Sequence, residues 1–191
     1  MVKMADPIAF ATPDAWSAWL ALHHETEREV WVLYHKKGSG VASIDWQQAV
    51  VEALVYGWID GVRKTVDEAR WMQRFTPRKA GSAWSEINRK HAERLIAEGL
   101  MHTAGQAQVE IAKANGRWEA TYSGGKGANI PDDFLQAVAG ASPLAQKTFS
   151  GLDSRNRFAI YYRLATAKRP ETRAKRMADF LTKLEEGKPI L

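Results

Sequence analysis

Residues 57–88 read GWIDGVRKTVDEARWMQRFTPRKAGSAWSEIN, and the fold turns on them. Two runs rich in β-branched and aromatic residues, 58–66 and 69–76, flank Asp67 and Glu68, which predicts a β-hairpin. Asp-Glu is weaker turn chemistry than Asn-Gly or Asp-Gly, so the expectation rests on the runs more than on the turn. Gly61 inside the first strand predicts a bulge or a close backbone approach, and so marks a place to look for a site. Trp58, Trp71, Phe75 and Trp84 are interleaved with Arg63, Lys64, Arg70, Arg74, Arg78 and Lys79. Rings give broad apolar contact and guanidinium groups give charged forks that fit carboxylate or phosphate, so the mixture suits an anionic ligand. It equally suits a hairpin with one packed and one solvated face.

Upstream of the hairpin, VWVLYH at 30–35 has strand composition and KKGSG at 36–40 ends it. Two helices frame that strand. The first opens at Thr12-Pro13-Asp14 with Trp16, Trp19, Leu20 and His23 on one face; the second spans 43–56, with Trp46, Ala49, Val50, Ala53 and Leu54 as an inward stripe and Gly57 as its stop.

Downstream of residue 82 the pattern is helical. Ser82 or Ser85 caps a helix carrying Trp84, Ile87, His91 and Leu95 inward to Gly99, and Thr103 to Gln106 reads as a capping box for the next, which ends at Gly116. The glycine-rich 122–130 reads as a linker; its GGKGA lacks the spacing and the Ser or Thr of a phosphate-cradling loop, and no strand precedes it. Further helices open at Pro131, at Ser142-Pro143 and at Asp153, the last of these holding Phe158, Tyr161, Tyr162 and Leu164. A final helix from Pro170 to Gly187 turns Ala174, Met177, Ala178, Leu181 and Leu184 inward and leaves Arg169, Arg173, Arg176 and Lys183 outside. We therefore expect an α+β protein: a small antiparallel sheet with a hairpin in the N-terminal half and a predominantly helical C-terminal half. The expected division is 1–121, the linker 122–130 and the helical region 131–191.

With 191 residues, 45% hydrophobic and 26% charged, the composition is that of a soluble globular protein. Asp6 and Pro7 interrupt any secretory apolar run, and no stretch reaches the ~20 apolar residues of a membrane helix, so we expect neither a signal nor a span. The chain has no cysteine, which removes disulfides and thiolate chemistry and fits a reducing cytoplasm. Its five histidines show no metal-binding spacing, and we expect neither metal nor cofactor. The net charge of +5 is uneven: residues 1–62 hold four bases against eight acids, about −4, and the remainder is about +9. That asymmetry raises the prior for an acidic partner.

Asp60 is the strongest acid, set among aromatic residues and close in sequence to Arg63; a structural Asp60–Arg63 pair is the favoured expectation. Ser82 and Ser85 sit in no nucleophile elbow, and His91, six residues beyond Ser85, lies off its helical face. No catalytic residue is assigned, and a non-enzymatic binding protein is expected. The ligand site is expected where the hairpin meets the helix of 84–88. There Arg63, Arg74, Arg78 and Lys79 supply charge, Trp58 and Trp84 supply stacking surface, and Asp60, Ser85 and Asn88 supply polar contacts. The expected partner is a small anionic ligand or an acidic protein. The alternative is single-stranded nucleic acid, gripped by the basic hairpin and the C-terminal helix.

Seven segments together resemble one family: WxxWL at 16–20, VWVLYHKK at 30–37, GWIDG at 57–61, RFTPRK at 74–79, SAWSEIN at 82–88, NGRW at 115–118 and AKRPETR at 167–173. The chain is similar to the YdeI/OmpD-associated, or bacteriocin-protection, family from Trp16 to Gly187. The resemblance implies a role in tolerance of bacteriocins, antimicrobial peptides or related stress, together with a link to an outer-membrane porin. It carries no agreed reaction and no catalytic residues.

Overall fold

The computed structural model describes residues 6–123 and 129–191. The chain forms two compact units, Met1–Thr121 and Tyr122–Leu191. Residues 124–128, the centre of the expected linker, lie outside the described residues.

The first unit is built on a four-stranded sheet of order β1-β2-β4-β3, from β1 (Ile8–Ala9), β2 (Val30–His35), β3 (Trp58–Thr65) and β4 (Arg70–Pro77). The hairpin pairs β3 with β4 antiparallel, and its register shifts between Asp60 and Arg63, at the bulge that Gly61 predicts. β4 also pairs antiparallel with β2, from Val30 opposite Phe75 to His35 opposite Arg70. The sheet is mixed, because β1 lies parallel to β2 through Ile8 and Ala9. A two-residue strand leaves no alternation to detect, which is why only the antiparallel part was legible in sequence.

Successive strand residues face opposite ways, so Val30, Val32, Tyr34 and Phe75 share one face while Trp31, Leu33, Met72 and Arg74 share the other. Against the first face pack Trp16 and Leu20 of α1 (Pro13–His23) and Val50, Ala53 and Leu54 of α2 (Trp46–Val55), all buried. The Trp16 indole N–H donates to Ala49 O at 3.1 Å, which satisfies the one polar atom that this ring buries. α3 (Glu86–Ala97) and α4 (Thr103–Ala114) complete the core with Ala92, Leu95, Val109 and Ala112. Gly105 lets α4 approach the end of α2: a Cβ there would overlap Val55 O and Leu54 O. All eight tryptophans lie in this unit, the last at position 118.

Three local details differ from expectation. Trp46 is 45% exposed, because Asp45 caps α2 and the first turn of the helix overhangs the core. Ile87 is exposed for a different reason: the buried face of α3 runs through Asn88, Ala92 and Leu95, and Ile87 stands one position round from it. The cap of α4 is His102, whose Nδ1 accepts from Ala104 N, rather than Thr103.

The second unit holds four helices, α5 (Asp132–Ala139), α6 (Pro143–Ser150), α7 (Ser154–Ala165) and α8 (Pro170–Glu185), around Phe134, Ile160, Leu164, Phe180 and Leu184. Ala174 and Ala178 of α8 are exposed, so its inward face runs through Phe180 and Leu184. Arg173 is correspondingly turned toward the protein and makes a two-toothed pair with Asp133 at 2.6 and 2.9 Å. Asn156 Oδ1 accepts from Ile190 N and Leu191 N, clipping the end of the chain to α7. No helix among the described residues is long and apolar enough to cross a membrane.

Candidate functional site

The end of β4 and the segment before β2 enclose a concavity of about 550 Å³. Arg28, Arg74, Arg78 and Lys79 line it with positive charge, Glu29 is the one carboxylate on its wall, and Thr76, Pro77 and Ser82 complete the lining. The register explains the assembly: Glu29 precedes Val30, which pairs with Phe75, so the residues before β2 lie beside Arg74 and Thr76. Pro77 ends β4, and the chain then turns at Lys79 to Ser82, where Ser82 Oγ accepts from Lys79 N at 3.0 Å and Ser82 N donates to Lys79 O at 2.8 Å.

The four cations are held differently. Arg74 faces Glu29 at 3.6 Å, a loose contact between side chains that are each about 40% exposed. Its Nε is buried and makes no hydrogen bond. Arg78 is 5% exposed; its guanidinium lies 3.7 Å from the centre of the Trp84 ring and donates to Ala83 O at 3.2 Å. A buried cation is tolerated only where such partners replace water, so Arg78 is as much a strut as a wall of the concavity. Lys79 is exposed.

Asp60 stands at the bulge and does not pair with Arg63. Its Oδ2 accepts from Gln73 Nε2 at 2.9 Å and from Trp46 Nε1 at 3.2 Å. Burial pushes its carboxyl above the usual range, and the Trp46 hydrogen bond, the Asp60 backbone N–H and the charge of Arg78 oppose this without cancelling it. The nearby Tyr34 phenol is pushed up by burial, then by Asp60 and Asp45. Its hydroxyl is buried and makes no hydrogen bond.

Of the nine residues read from sequence, Arg74, Arg78 and Lys79 line the concavity and Trp84 underlies it through Arg78. Trp58 is a core residue, 1% exposed, whose indole donates to His24 O. Ser85 spends its hydroxyl accepting from Asn88 N, and Asn88 is buried beside it. Arg63 lies 4.1 Å over the Trp71 ring, away from the concavity's lining. Lys64 covers Trp31 at 4.7 Å in the same manner. Thus Trp31, Trp71 and Trp84 each present a ring face already taken by a cation of the chain, which reduces the stacking surface a nucleobase needs. Sequence reading missed Arg28, Glu29, Thr76 and Ser82; the signal for the first two is their place immediately before a strand that pairs with the RFTP run.

A second concavity, about 590 Å³, lies in the helical unit and is lined by Arg163, Arg176, Asp179, Thr182 and Lys183 with Phe180. Two of its cations are spent on the chain itself: Arg176 donates to Arg163 O, and Lys183 donates to Ile190 O at 2.8 Å.

Comparison with curated proteins and with solved structures gives no match. Two family models do match. One, a domain of unknown function (DUF8412), covers residues 8–108, over half of the chain, and with it the segments between Trp16 and Asn88 that carry the sequence resemblance. The other, described as Bacteriocin-protection, YdeI or OmpD-Associated, covers residues 128–187 and with it AKRPETR at 167–173. The chain therefore belongs to the DUF8412 family, and its helical unit matches the model of the YdeI/OmpD-associated, bacteriocin-protection family.

Proposed function

We propose that this chain is a cytoplasmic binding protein for a small anionic ligand, held in the concavity of the sheet-bearing unit, and that it serves stress tolerance or the bacteriocin protection for which the family matched by its helical unit is named. One observation carries the proposal: four cations and one carboxylate line a concavity of about 550 Å³, within the size range of small-molecule sites. The cytoplasmic setting rests on the lack of cysteine, and fractionation of the native protein checks it.

The test is calorimetric titration of the full chain with sulfate, beside single-stranded oligonucleotides of increasing length. Sulfate is expected to saturate one site. Neutralising Arg74 and Lys79 together should weaken it by about 100-fold, as for two charge-assisted contacts. Neutralising Arg163 and Lys183 should change it by less than about twofold. Affinity that instead grows with oligonucleotide length, with a salt slope falling by about 0.7 for each charge removed from either unit, would favour the nucleic-acid alternative.

A further inference from the structure

We infer that the anchoring group of the ligand is a tetrahedral dianion, the phosphate of a small phosphomonoester, and that Glu29 competes with it for Arg74. This rests on the anion site proposed above and names its chemistry.

Charge and geometry both favour a tetrahedral group. The cations come from three short segments, Arg28 before β2, Arg74 on β4, and Arg78 and Lys79 beyond it, so charge reaches the concavity from more than one strand. A carboxylate accepts in one plane and carries one charge, whereas a phosphate monoester offers three terminal oxygens and close to two charges above pH 7. Hydroxyls add to this. Ser82 Oγ already accepts from Lys79 N, which leaves its own proton to give, and Thr76 shares the wall. A volume of about 550 Å³ far exceeds a phosphate group, so an ester with an organic remainder fits better than the free ion.

Glu29 is the only acid of that wall among the described residues, and its carboxylate sits 3.6 Å from Arg74 Nη1, longer than a charge-assisted hydrogen bond. Arg74 Nε, meanwhile, is buried without an acceptor. A carboxylate that touches the arginine without filling its fork is a weak internal substitute for an external anion, and a stronger dianion displaces it at little cost.

The experiment compares methyl phosphate, sulfate and malonate by calorimetry on the full chain at pH 8. The three probes are all dianions there, and only malonate is built of planar carboxylates. Methyl phosphate and sulfate are expected to bind at least about tenfold more tightly than malonate. Glu29→Gln should tighten both by roughly tenfold, and Arg74→Gln or the exposed Lys79→Gln should weaken both by at least that factor. At pH 5, below the second ionisation near 6, methyl phosphate should weaken while sulfate holds. Malonate binding as tightly as the tetrahedral probes, and losing its affinity in Arg74→Gln, would leave the anion site standing and overturn the phosphate assignment. Unchanged or weaker binding in Glu29→Gln would overturn the competition. If no anion binds the native chain or Glu29→Gln, the site itself is wrong and both conclusions fall.

Discussion

The two basic concavities are similar in size and sign of charge and differ in what their cations are doing. In the sheet-bearing unit Arg74 meets Glu29 only at 3.6 Å and Lys79 is exposed. In the helical unit Arg176 and Lys183 are spent on main-chain carbonyls, and Arg173 near the start of α8 is spent on Asp133 at 2.6 and 2.9 Å. Net charge alone therefore does not mark a site. What separates the two places is how much hydrogen-bonding capacity each cation retains after the fold has used it.

The largest test of that contrast is at Arg78, the buried wall cation, which the fold uses most. Arg78→Ala removes a buried guanidinium from between Trp84 and Ala83 O, and should lower stability by about 3–4 kcal/mol in urea unfolding. Arg173→Ala breaks a more exposed pair and should shift the transition by clearly less; equal losses would show that burial is not what distinguishes the two. Next comes Asp60. Asp60→Ala leaves Trp46 Nε1 and Gln73 Nε2 short of an acceptor and should cost about 1–3 kcal/mol, while Asp60→Asn keeps an acceptor oxygen and should cost less than half as much.

The smallest effect is a divergence with pH. The Asp60 carboxyl is raised, so the folded chain holds that proton more tightly than the unfolded one; its contribution is present in full below the unfolded value and is lost as pH rises through the folded value. Asp133, held down first by its hydrogen bond from Arg173, and Asp153, held down by Asn156, have the opposite sign. Their contributions are present above the unfolded carboxylate value, about 4, and are lost as pH falls through their folded values. Asp67 in the hairpin turn, lowered by Arg70, has that sign too. Peptide-resolved hydrogen exchange between pH 7 and pH 3 should therefore show protection falling earlier at α5 and α8 than at the Asp60 end of β3 and β4, away from the Asp67 turn. Parallel loss in both places would remove the distinction.

Much of the fold was legible because its signals are local. VWVLYH has the β-branched and aromatic content of a buried strand, and the structure keeps it as Val30–His35; a glycine within a strand announced the bulge beyond Asp60. Where the signal was tertiary, sequence failed in a regular way. Trp46 fits an inward stripe but stands in a first turn that reaches past the core, and Ile87 lies one position off a buried run, Asn88, Ala92 and Leu95, that begins with a polar residue and so escapes an apolar count. Arg63 was expected to answer Asp60, its near neighbour, yet the bulge lies between them and Gln73 from the adjoining strand answers instead. Five of the concavity's eight wall residues lie in RFTPRK, and three of them, Arg74, Arg78 and Lys79, were named from it. Arg28 and Glu29 were not, since only strand pairing carries them across some 45 residues to Arg74.

The placement of every tryptophan before position 119 gives the molecule a built-in optical label. Excited at the red edge of indole absorption, the chain emits from the sheet-bearing unit alone, and the helical unit, with tyrosine and phenylalanine only, stays dark. Trp84 lies directly under the Arg78 guanidinium at the wall of the concavity, so an anion drawn to that arginine changes the field at an emitting ring. Unfolding of one unit and occupancy of its site are thus both readable by light, without attaching a dye.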